Sequence, residues 1–141
     1  MSKIAVVFWS GTGNTEAMAG FVEEGAKAVG AEVVKYDPED FTKEMVKDYD
    51  AIAFGCPAMG DEELEETVFA PMFDTVKDSL SGKRIALFGS YDWGQGDWME
   101  SWKQTCLEAG AILGNEPVIA NNEPDDEAAE KLKEMGKVLA S

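Results

Sequence analysis

The sequence contains no histidine, so it lacks the side chain most often used as a general base and as a transition-metal ligand. Its two cysteines, Cys56 and Cys106, are far apart in the chain and fit neither a disulfide framework nor a zinc site. We interpret Cys56, at the end of an apolar segment, as a small buried hydrophobic residue rather than a nucleophile. We therefore expect no metal site.

Basic residues are also scarce, with 12 lysines and arginines against 28 aspartates and glutamates and a formal net charge of −16. A field of this sign repels nucleic acid and anionic lipid surfaces and attracts basic proteins, although solubility alone would also account for it. The charge therefore predicts no nucleic-acid partner and no membrane partner.

Long apolar runs are missing as well. No apolar stretch approaches the roughly 18 residues of a transmembrane helix, and the one in "MSKIAVVFW" is too short for a signal peptide. These features predict a cytoplasmic protein. The length of 141 residues, 45% of them hydrophobic, predicts one domain over residues 1–141 with a core of its own.

What the sequence does contain is a regular alternation of apolar runs and segments with helical periodicity. Near-continuous apolar strands suit a sheet covered on both faces, and short connections favour right-handed crossovers and a parallel sheet. The expected class is thus α/β, with ligands bound at the carboxyl ends of the strands. The predicted strands are 3–9, 32–36, 51–56, 84–90 and 111–119, interrupted near Gly114–Asn115, and the predicted helices are 14–29, 40–47, one with Pro71 in its first turn, 97–109 and 125–140.

The loop after the first strand, within "WSGTGNTEAM", concentrates hydroxyl and amide groups and has no lysine or arginine. A glycine-rich turn that opens a helix directs backbone N–H groups at one point, and the hydroxyls of Ser10, Thr12 and Thr15 can donate there too. Both the Gly-Lys-Ser/Thr of nucleotide P-loops and the third glycine of dinucleotide sites are missing. The loop therefore predicts a phosphate that is held but not transferred, unless it is only an ordinary capped helix start.

The loops after the third and fourth strands, "CPAMGDEELEE" and "SYDWGQGDW", are unusual in a different way. Met59 fits no apolar periodicity, and Trp93 lies in a glycine-flanked loop. A tryptophan and a methionine suit the two faces of a flat ring. Met59 could instead fill the core, and Trp93 could form a surface cluster with Tyr91. With the first loop, these residues predict a phosphorylated flat ring, whereas we interpret Trp9, Trp98 and Trp102 as core or helix-face residues.

Three motifs, "SGTGNTE", "GCPAMGDEELEE" and "LFGSYDWGQGDWM", resemble the flavodoxin family in order and spacing. The resemblance covers nearly the whole chain, which is most similar to the short-chain type of anaerobic bacteria. It implies a flavodoxin-like three-layer α/β/α sandwich around a five-stranded parallel sheet in the order 2-1-3-4-5. It also implies non-covalently bound FMN.

The resemblance also implies the residues that bind FMN. Residues 10–15 would hold the phosphate, and Met59 and Trp93 would flank the isoalloxazine ring. Backbone on both later loops would reach the polar edge of the ring, with the carbonyl of Gly60 turning to the flavin N5–H after the first electron. Asp92 departs from the glycine frequent in close relatives. The implied set is Ser10, Gly11, Thr12, Gly13, Asn14, Thr15, Pro57, Ala58, Met59, Gly60, Asp61, Glu62, Ser90, Tyr91, Asp92, Trp93 and Gly94.

The function that the resemblance implies is that of a low-potential one-electron carrier, not an enzyme. FMN would pass between oxidised, semiquinone and hydroquinone states, and electrons would move between redox enzymes. The chain would be a monomer, and its partners would dock basic patches on an acidic rim. The residues expected in that rim are Asp61, Glu62, Glu63, Glu65 and Glu66.

Three alternatives belong to other functional classes. A flavodoxin-like NAD(P)H:quinone reductase is disfavoured by the small size, the missing histidines and the lack of a second nucleotide site. A signalling receiver domain requires acidic residues where this chain has Trp9, Ser10 and Cys56, which excludes it. A module that only stores flavin would differ from a carrier in lacking reversible one-electron reduction.

Overall fold

The architecture is a parallel β-sheet with helices on both faces, seen in a computed structural model that describes residues 2–11, 13–58, 64–91 and 96–140. In chain order the strands are β1 (Lys3–Phe8), β2 (Glu32–Tyr36), β3 (Ala51–Gly55), β4 (Arg84–Tyr91), β5 (Ile112–Leu113) and β6 (Val118–Asn121). The helices are α1 (Asn14–Ala28), α2 (Phe69–Val76), α3 (Asp97–Glu108) and α4 (Asp126–Ala140), with 3-10 turns at Pro38–Asp40, Lys43–Asp48 and Lys77–Ser79.

The sheet has the order β2-β1-β3-β4-β5, and β6 also pairs with β4. The predicted fifth strand is divided in two, because Ile112 lies opposite Arg84 and Val118 opposite Phe88 on the same neighbouring strand. This confirms the strand order and the interruption near Gly114–Asn115. Because β2 and β3 lie on opposite sides of β1, the carboxyl ends of β1 and β3 flank the switch in strand order where ligands bind.

Apolar side chains fill the space on both sides of the sheet, as the near-continuous apolar sequences of the strands predicted. One cluster packs aromatic rings of β3, α2 and α3, including Phe54, Phe73 and Trp102. The other packs α1 and α4 on the opposite face through Met18 and Leu132, among others. Burial on both faces explains why the strand sequences are continuously apolar.

Helices α1 and α4 approach each other closely at two glycines. A Cβ at Gly25 would lie 1.9 Å from the Lys133 carbonyl oxygen, and one at Gly136 would lie 2.1 Å from the Val22 carbonyl oxygen. Both obstacles are backbone atoms, which cannot rotate away. The two helices therefore require glycine at these positions to pack at this distance.

Two predictions about the helices are wrong. The segment predicted as a helix over 40–47 forms short 3-10 turns, because Phe41 and Thr42 have extended backbone and divide it. The first helix, predicted over 14–29, ends at Ala28, and Val29 after it is 52% exposed. Across the described ranges, we find no helix with the length and apolarity needed to cross a bilayer.

Candidate functional site

The loop between β1 and α1 folds around the hydroxyl of Ser10. That oxygen accepts the N–H of Gly13 at 3.1 Å and the N–H of Glu16 at 3.2 Å. Gly13 has φ 95°, in the left-handed region, where a side chain would strain the backbone even though space is open around it. Since both bonds use the Ser10 oxygen as acceptor, its hydrogen remains able to donate to a further group.

The first turn of α1 presents backbone donors to the site. Within the described part of the chain, the N–H groups of Asn14 and Thr15 find no hydrogen-bond acceptor. Such first-turn amides, together with the positive end of the helix dipole, favour an anion. The loop is thus built to receive a negatively charged group without any basic side chain.

Thr15 links this loop to the end of β4. Its hydroxyl lies 3.1 Å from the hydroxyl of Ser90, and the two residues are only 1% and 4% exposed. Each hydroxyl carries one hydrogen, so when one donates to the other, the second can still donate to a third group. The sequence predicted a role for the Ser90 backbone but missed this contact of its side chain.

The segment after β3 is held against the end of β4. Cys56 donates its N–H to the Phe88 carbonyl at 3.1 Å, and Ala58 donates to the Ser90 carbonyl at 3.0 Å. The approach is tight, since a Cβ at Gly89 would lie 2.1 Å from the Cys56 carbonyl oxygen. Pro57 and Ala58, both half-buried, are therefore fixed beside the buried end of the fourth strand.

Tyr91 ends β4 at the same edge of the sheet. Its ring is half-buried against Trp98, with ring centres 5.7 Å apart, and its carbonyl accepts the N–H of Asn122 at 2.7 Å. The turn after β6 therefore holds the end of β4 in place, a contact that the sequence did not predict. The available signal was the fifth predicted strand, whose carboxyl end must lie at this edge of a parallel sheet.

The tryptophans divide between core and site. Trp98 and Trp102 are each 2% exposed, which confirms their predicted core role. Trp9 is only half-buried, and a Cβ at Gly11 would lie 2.9 Å from its ring. Trp9 packs against the core cluster from a partly exposed position, and its ring also lies close to the glycine-rich loop.

The carboxylates near Ser10 limit where an anion can bind. A cleft of about 280 Å³ opens beside Trp9 and Ser10, and Glu16, Asp37 and Glu39 line it. Three carboxylates repel a phosphate. An anion is therefore disfavoured in this cleft.

Cys56 is a buried structural residue, as predicted. It is 0% exposed, and burial raises the pKa of its thiol to about 12. Its Sγ accepts the N–H of Glu65 at 3.3 Å, and its carbonyl accepts the indole N–H of Trp98 at 3.2 Å. Burial likewise raises the pKa of Cys106 to about 12. Neither thiol is a nucleophile near neutral pH.

Glu65 corrects the predicted acidic rim. It is 4% exposed, and its carboxylate accepts the N–H groups of Thr67, Val68 and Phe69 at 2.8 Å each and the hydroxyl of Thr67. Burial raises the pKa of this carboxyl, but these hydrogen bonds outweigh burial and hold the pKa below its usual range. Glu65 thus stabilises the start of α2, whereas Glu66 beside it is exposed.

Several predicted site residues lie outside the described residues. They are Thr12 in the first loop, Met59, Gly60, Asp61 and Glu62 with Glu63 of the acidic rim in the second, and Asp92, Trp93 and Gly94 in the third. The described members of the predicted set do meet at one edge of the sheet. They are Ser10, Gly11, Gly13, Asn14, Thr15, Pro57, Ala58, Ser90 and Tyr91.

A doubly wound parallel sheet with a helix N-terminus beside its switch in strand order places the chain among the open α/β proteins that bind ligands at that switch. Residues 6–136 match the flavodoxin family, and the chain belongs to that family.

Individual relatives agree with this assignment. The flavodoxin of Megasphaera elsdenii is 46% identical over 97% of this chain and 98% of its own. The flavodoxin of Clostridium beijerinckii is 40% identical over 96% of this chain and 98% of its own. The solution structure of two-electron reduced Megasphaera elsdenii flavodoxin superposes with a TM-score of 0.90, covering 97% of this chain and 98% of that one.

The family settles the broad function. Flavodoxins bind FMN and transfer electrons, so this chain is an FMN electron carrier rather than an enzyme, and the quinone-reductase alternative is wrong. The described donors fit the cofactor, because the two amides of α1, the hydroxyl of Ser10 and one of the two paired hydroxyls of Thr15 and Ser90 can donate uncharged hydrogen bonds to a phosphate.

Proposed function

We propose that the chain is a low-potential one-electron carrier that passes electrons between redox enzymes through non-covalently bound FMN. The observation that carries the proposal is the buried contact of the Thr15 and Ser90 hydroxyls beside the first turn of α1. It joins the predicted phosphate loop to the strand end predicted to hold the ring. A single cofactor that spans both points accounts for the arrangement.

The phosphate would be held by Ser10, Thr12, Asn14 and Thr15 through hydroxyls and backbone amides. Ser90 would orient the Thr15 hydroxyl by keeping one of its hydrogen-bonding positions occupied. Gly11 and Gly13 would let the backbone approach the phosphate closely. The absence of a cation suits a group that is held permanently and not transferred.

The ring would lie between the other two loops. Pro57 and Ala58, fixed by the bond from Ala58 to Ser90, would bring the backbone of the second loop to its polar edge, and Tyr91 would do so for the third. The remaining residues of the FMN site are proposed from the family resemblance, as side chains that flank the ring or as backbone donors. They are Met59, Gly60, Asp61, Glu62, Asp92, Trp93 and Gly94.

FMN supplies the ability to accept and release electrons singly. What this chain contributes is the surrounding charge, a formal −16. One negative charge 10 Å from an added electron costs about 0.8 kcal/mol at an effective dielectric constant of ~40. That corresponds to roughly 35 mV for one electron, at ~59 mV per tenfold change in equilibrium. Several such charges would keep the potential low.

As a flavodoxin the chain has redox proteins as its partners. We propose that these partners carry basic patches and that the carrier docks on them as a monomer. The strongly acidic composition supports this, since opposite charge accelerates association. A cytoplasmic location stays a prediction.

The test is an absorption spectrum followed by a redox titration of the purified protein. We expect oxidised flavin bands at one equivalent per chain and two separate one-electron steps. A protein that takes up no FMN would refute the cofactor site. A single two-electron step would show a flavin store or a two-electron carrier instead.

A further inference from the structure

The acidic cleft beside Trp9 is joined to a second depression, of about 320 Å³. The linings of the two share Pro38, Glu39 and Val68. Together they form one groove between the 3-10 turn at Pro38–Asp40 and the start of α2, which we call the turn–α2 groove.

The two halves of the groove differ in chemistry. The first half holds the carboxylates of Glu16, Asp37 and Glu39, and among the described residues no lysine or arginine lines either half. The second half is mostly apolar. Apart from the shared residues, it is lined by Phe41, Thr67, Pro71, Met72 and Thr75. A complementary ligand therefore carries a positive group next to apolar groups.

The three carboxylates are available to such a ligand. Glu16, Asp37 and Glu39 are exposed, and across residues 2–11, 13–58, 64–91 and 96–140 their oxygens take part in no ion pair and no hydrogen bond. Carboxylates that share a cleft repel one another, and a cation between them turns that repulsion into attraction.

A second acidic depression, at the start of α4, offers less to a cation. Glu127 in its lining pairs with Lys131 at 3.4 Å, and an Asp125 carboxylate oxygen accepts the N–H of Ala128 at 2.8 Å. Its acidic groups are thus partly engaged within the chain. The turn–α2 groove is the better complement to an added positive charge.

Both walls of the groove are fixed by the core. On one side the Phe41 ring packs against Tyr36 and Phe54, with ring centres 5.3 Å and 6.3 Å apart. On the other side the buried carboxylate of Glu65 accepts the N–H of Val68 at 2.8 Å. A ligand therefore meets a preformed surface and loses little binding energy to ordering it.

We propose that the turn–α2 groove docks an extended segment of a redox partner, with a basic side chain among the three carboxylates and apolar side chains in the other half. This inference rests on the proposed function, because it names the part of a basic partner that this surface fits. In an extended chain alternate side chains share one face and lie about 7 Å apart, so they can enter successive parts of a groove. A second copy of this chain is a poor occupant, since each copy carries a formal −16.

The position of the groove suits a redox partner. Trp9 and Ser10, in the loop proposed to hold the FMN phosphate, line its acidic half. A segment docked there lies against that loop. The partner is thereby held beside the cofactor by a contact separate from the acidic rim.

The experiment uses the full-length protein with FMN bound, labelled with nitrogen-15, and three synthetic peptides of one composition. Each peptide has two arginines, two leucines and serine spacers. In the first the arginines precede the leucines on one face of the extended chain, in the second they follow them, and in the third the two types lie on opposite faces. All three have the same charge, so general attraction to an acidic protein is the same for each.

Backbone amide shifts in NMR spectra locate the bound peptide, and their dependence on peptide concentration gives the dissociation constant. We expect the first or the second peptide to bind at least about fivefold more tightly than the third. The largest shifts should lie in residues 37–41 and 67–75, the two walls of the groove. Binding of all three peptides with one affinity, or shifts centred at the start of α4, would overturn the inference.

The acidic half is tested by removing two of its charges. We expect Asp37→Asn combined with Glu39→Gln to weaken the tighter peptide by about fivefold. Glu108→Gln combined with Glu134→Gln is the matched control, because it removes the same charge from exposed positions on α3 and α4 that line neither half. At physiological salt it should change the dissociation constant by less than about twofold. Equal losses in the two double variants would leave only an effect of net charge and overturn the inference.

The apolar half is tested at Val68, which lines both halves. Val68→Thr keeps the shape and the backbone bond to Glu65 but places a hydroxyl in the groove, so we expect about threefold weaker binding. Val33→Thr is the control, since Val33 is also half-buried but packs against the core cluster on the other face of the sheet. Unchanged binding in Val68→Thr would show that apolar side chains do not enter the groove and would overturn the inference.

Two further results separate this inference from its alternatives. Shifts in the groove that grow with protein concentration in the absence of peptide would identify a second copy as the occupant and overturn the inference. Peptide binding is measured without electron transfer, so a protein that binds FMN, titrates in two one-electron steps and fails to distinguish the peptides refutes this inference alone. A protein that takes up no FMN refutes the proposed function and, with it, a redox partner in the groove.

Discussion

The hydroxyl of Thr15 at the start of α1 lies 3.1 Å from the hydroxyl of Ser90 in β4, and both residues are buried. The two are 75 positions apart in the chain, and the packing of α1 against β4 brings them together. Their contact couples the loop at one strand end to the loop at another. If FMN binds as proposed, the affinity for its phosphate should therefore depend on Ser90, at the strand end proposed to hold the ring.

Replacing Thr15 should separate phosphate binding from ring binding. We expect Thr15→Val to weaken FMN by about ten- to a hundredfold, the equivalent of one hydrogen bond of about 1.5–3 kcal/mol to a charged group. Riboflavin, which has no phosphate, should lose far less. Ser90→Ala should show the same preference with a smaller loss, because it only orients the Thr15 hydroxyl.

Titration of each variant with FMN and with riboflavin, followed by flavin fluorescence, measures both affinities. Thr105→Val is the matched control, since its hydroxyl donates to the Ser101 carbonyl on α3 at 3.1 Å, away from the site. Equal losses for FMN and riboflavin in Thr15→Val would show that this loop does not bind the phosphate.

Alanine substitution should destabilise the protein at the two glycines of the α1–α4 contact and stabilise it at a third glycine of α1. We expect Gly25→Ala and Gly136→Ala to lower the free energy of unfolding by about 1–3 kcal/mol, because the new methyl groups meet backbone carbonyls. Gly20→Ala, where no atom lies within 4 Å of the added Cβ, should raise it by up to about 1 kcal/mol. Urea unfolding measures all three. A stabilised Gly25→Ala would contradict the packing described for these helices.

Most of the fold could be predicted from the sequence because the sheet is buried on both faces. Apolar runs such as "AIAFGC" are then long enough to mark strands, and the break near Gly114–Asn115 was visible from its residues. The division of the segment around Phe41 was not, because short 3-10 turns leave no helical periodicity. The exposure of Val29 depends on where α1 ends, which is the least certain feature of a periodic pattern.

The candidate site was predicted in part. The hydroxyl-rich loop indicated an anion by its composition, and in the structure the hydroxyl of Ser10 lies within hydrogen-bond distance of the N–H groups of Gly13 and Glu16 at the start of α1. The contact of Thr15 with Ser90 could not be predicted, since it depends on the relative placement of distant elements. The role of Glu65 could not be predicted either. A glutamate among other acidic residues is expected at the surface, and only the folded first turn of α2 supplies the amides that hold it inside.

The rate of electron transfer to a protein partner should fall steeply as salt is added. Opposite charges steer association, and exposed charges are screened over about 8–10 Å at physiological ionic strength. Stopped-flow measurement with a native reductase at increasing salt gives the rate constant. Reaction with an uncharged small quinone is the control and should change little. A protein rate that is equally flat would refute basic docking patches on the partner.

Acid should remove the contribution of Glu65 to stability. Its pKa is lowered in the folded protein, so folding favours the ionised form. The stabilisation is complete above the ordinary carboxyl pKa and is lost as the pH falls through the folded pKa. Glu65→Gln should therefore unfold more easily than the parent at pH 7, by about 1.5–3 kcal/mol, and the difference should shrink below about pH 4.5.

Urea unfolding between about pH 7 and pH 3.5 measures this difference, with FMN in the same excess for both proteins because a bound ligand adds its own stability. Glu23, whose pKa is lowered because Lys27 and Lys35 outweigh its burial, is present in both proteins, so its contribution cancels. A difference that stays constant over the whole range would mean that the charge of Glu65 does not carry the stabilisation. The four hydrogen bonds to its oxygens would then be no stronger than those of an amide, contrary to the burial and geometry of this carboxylate.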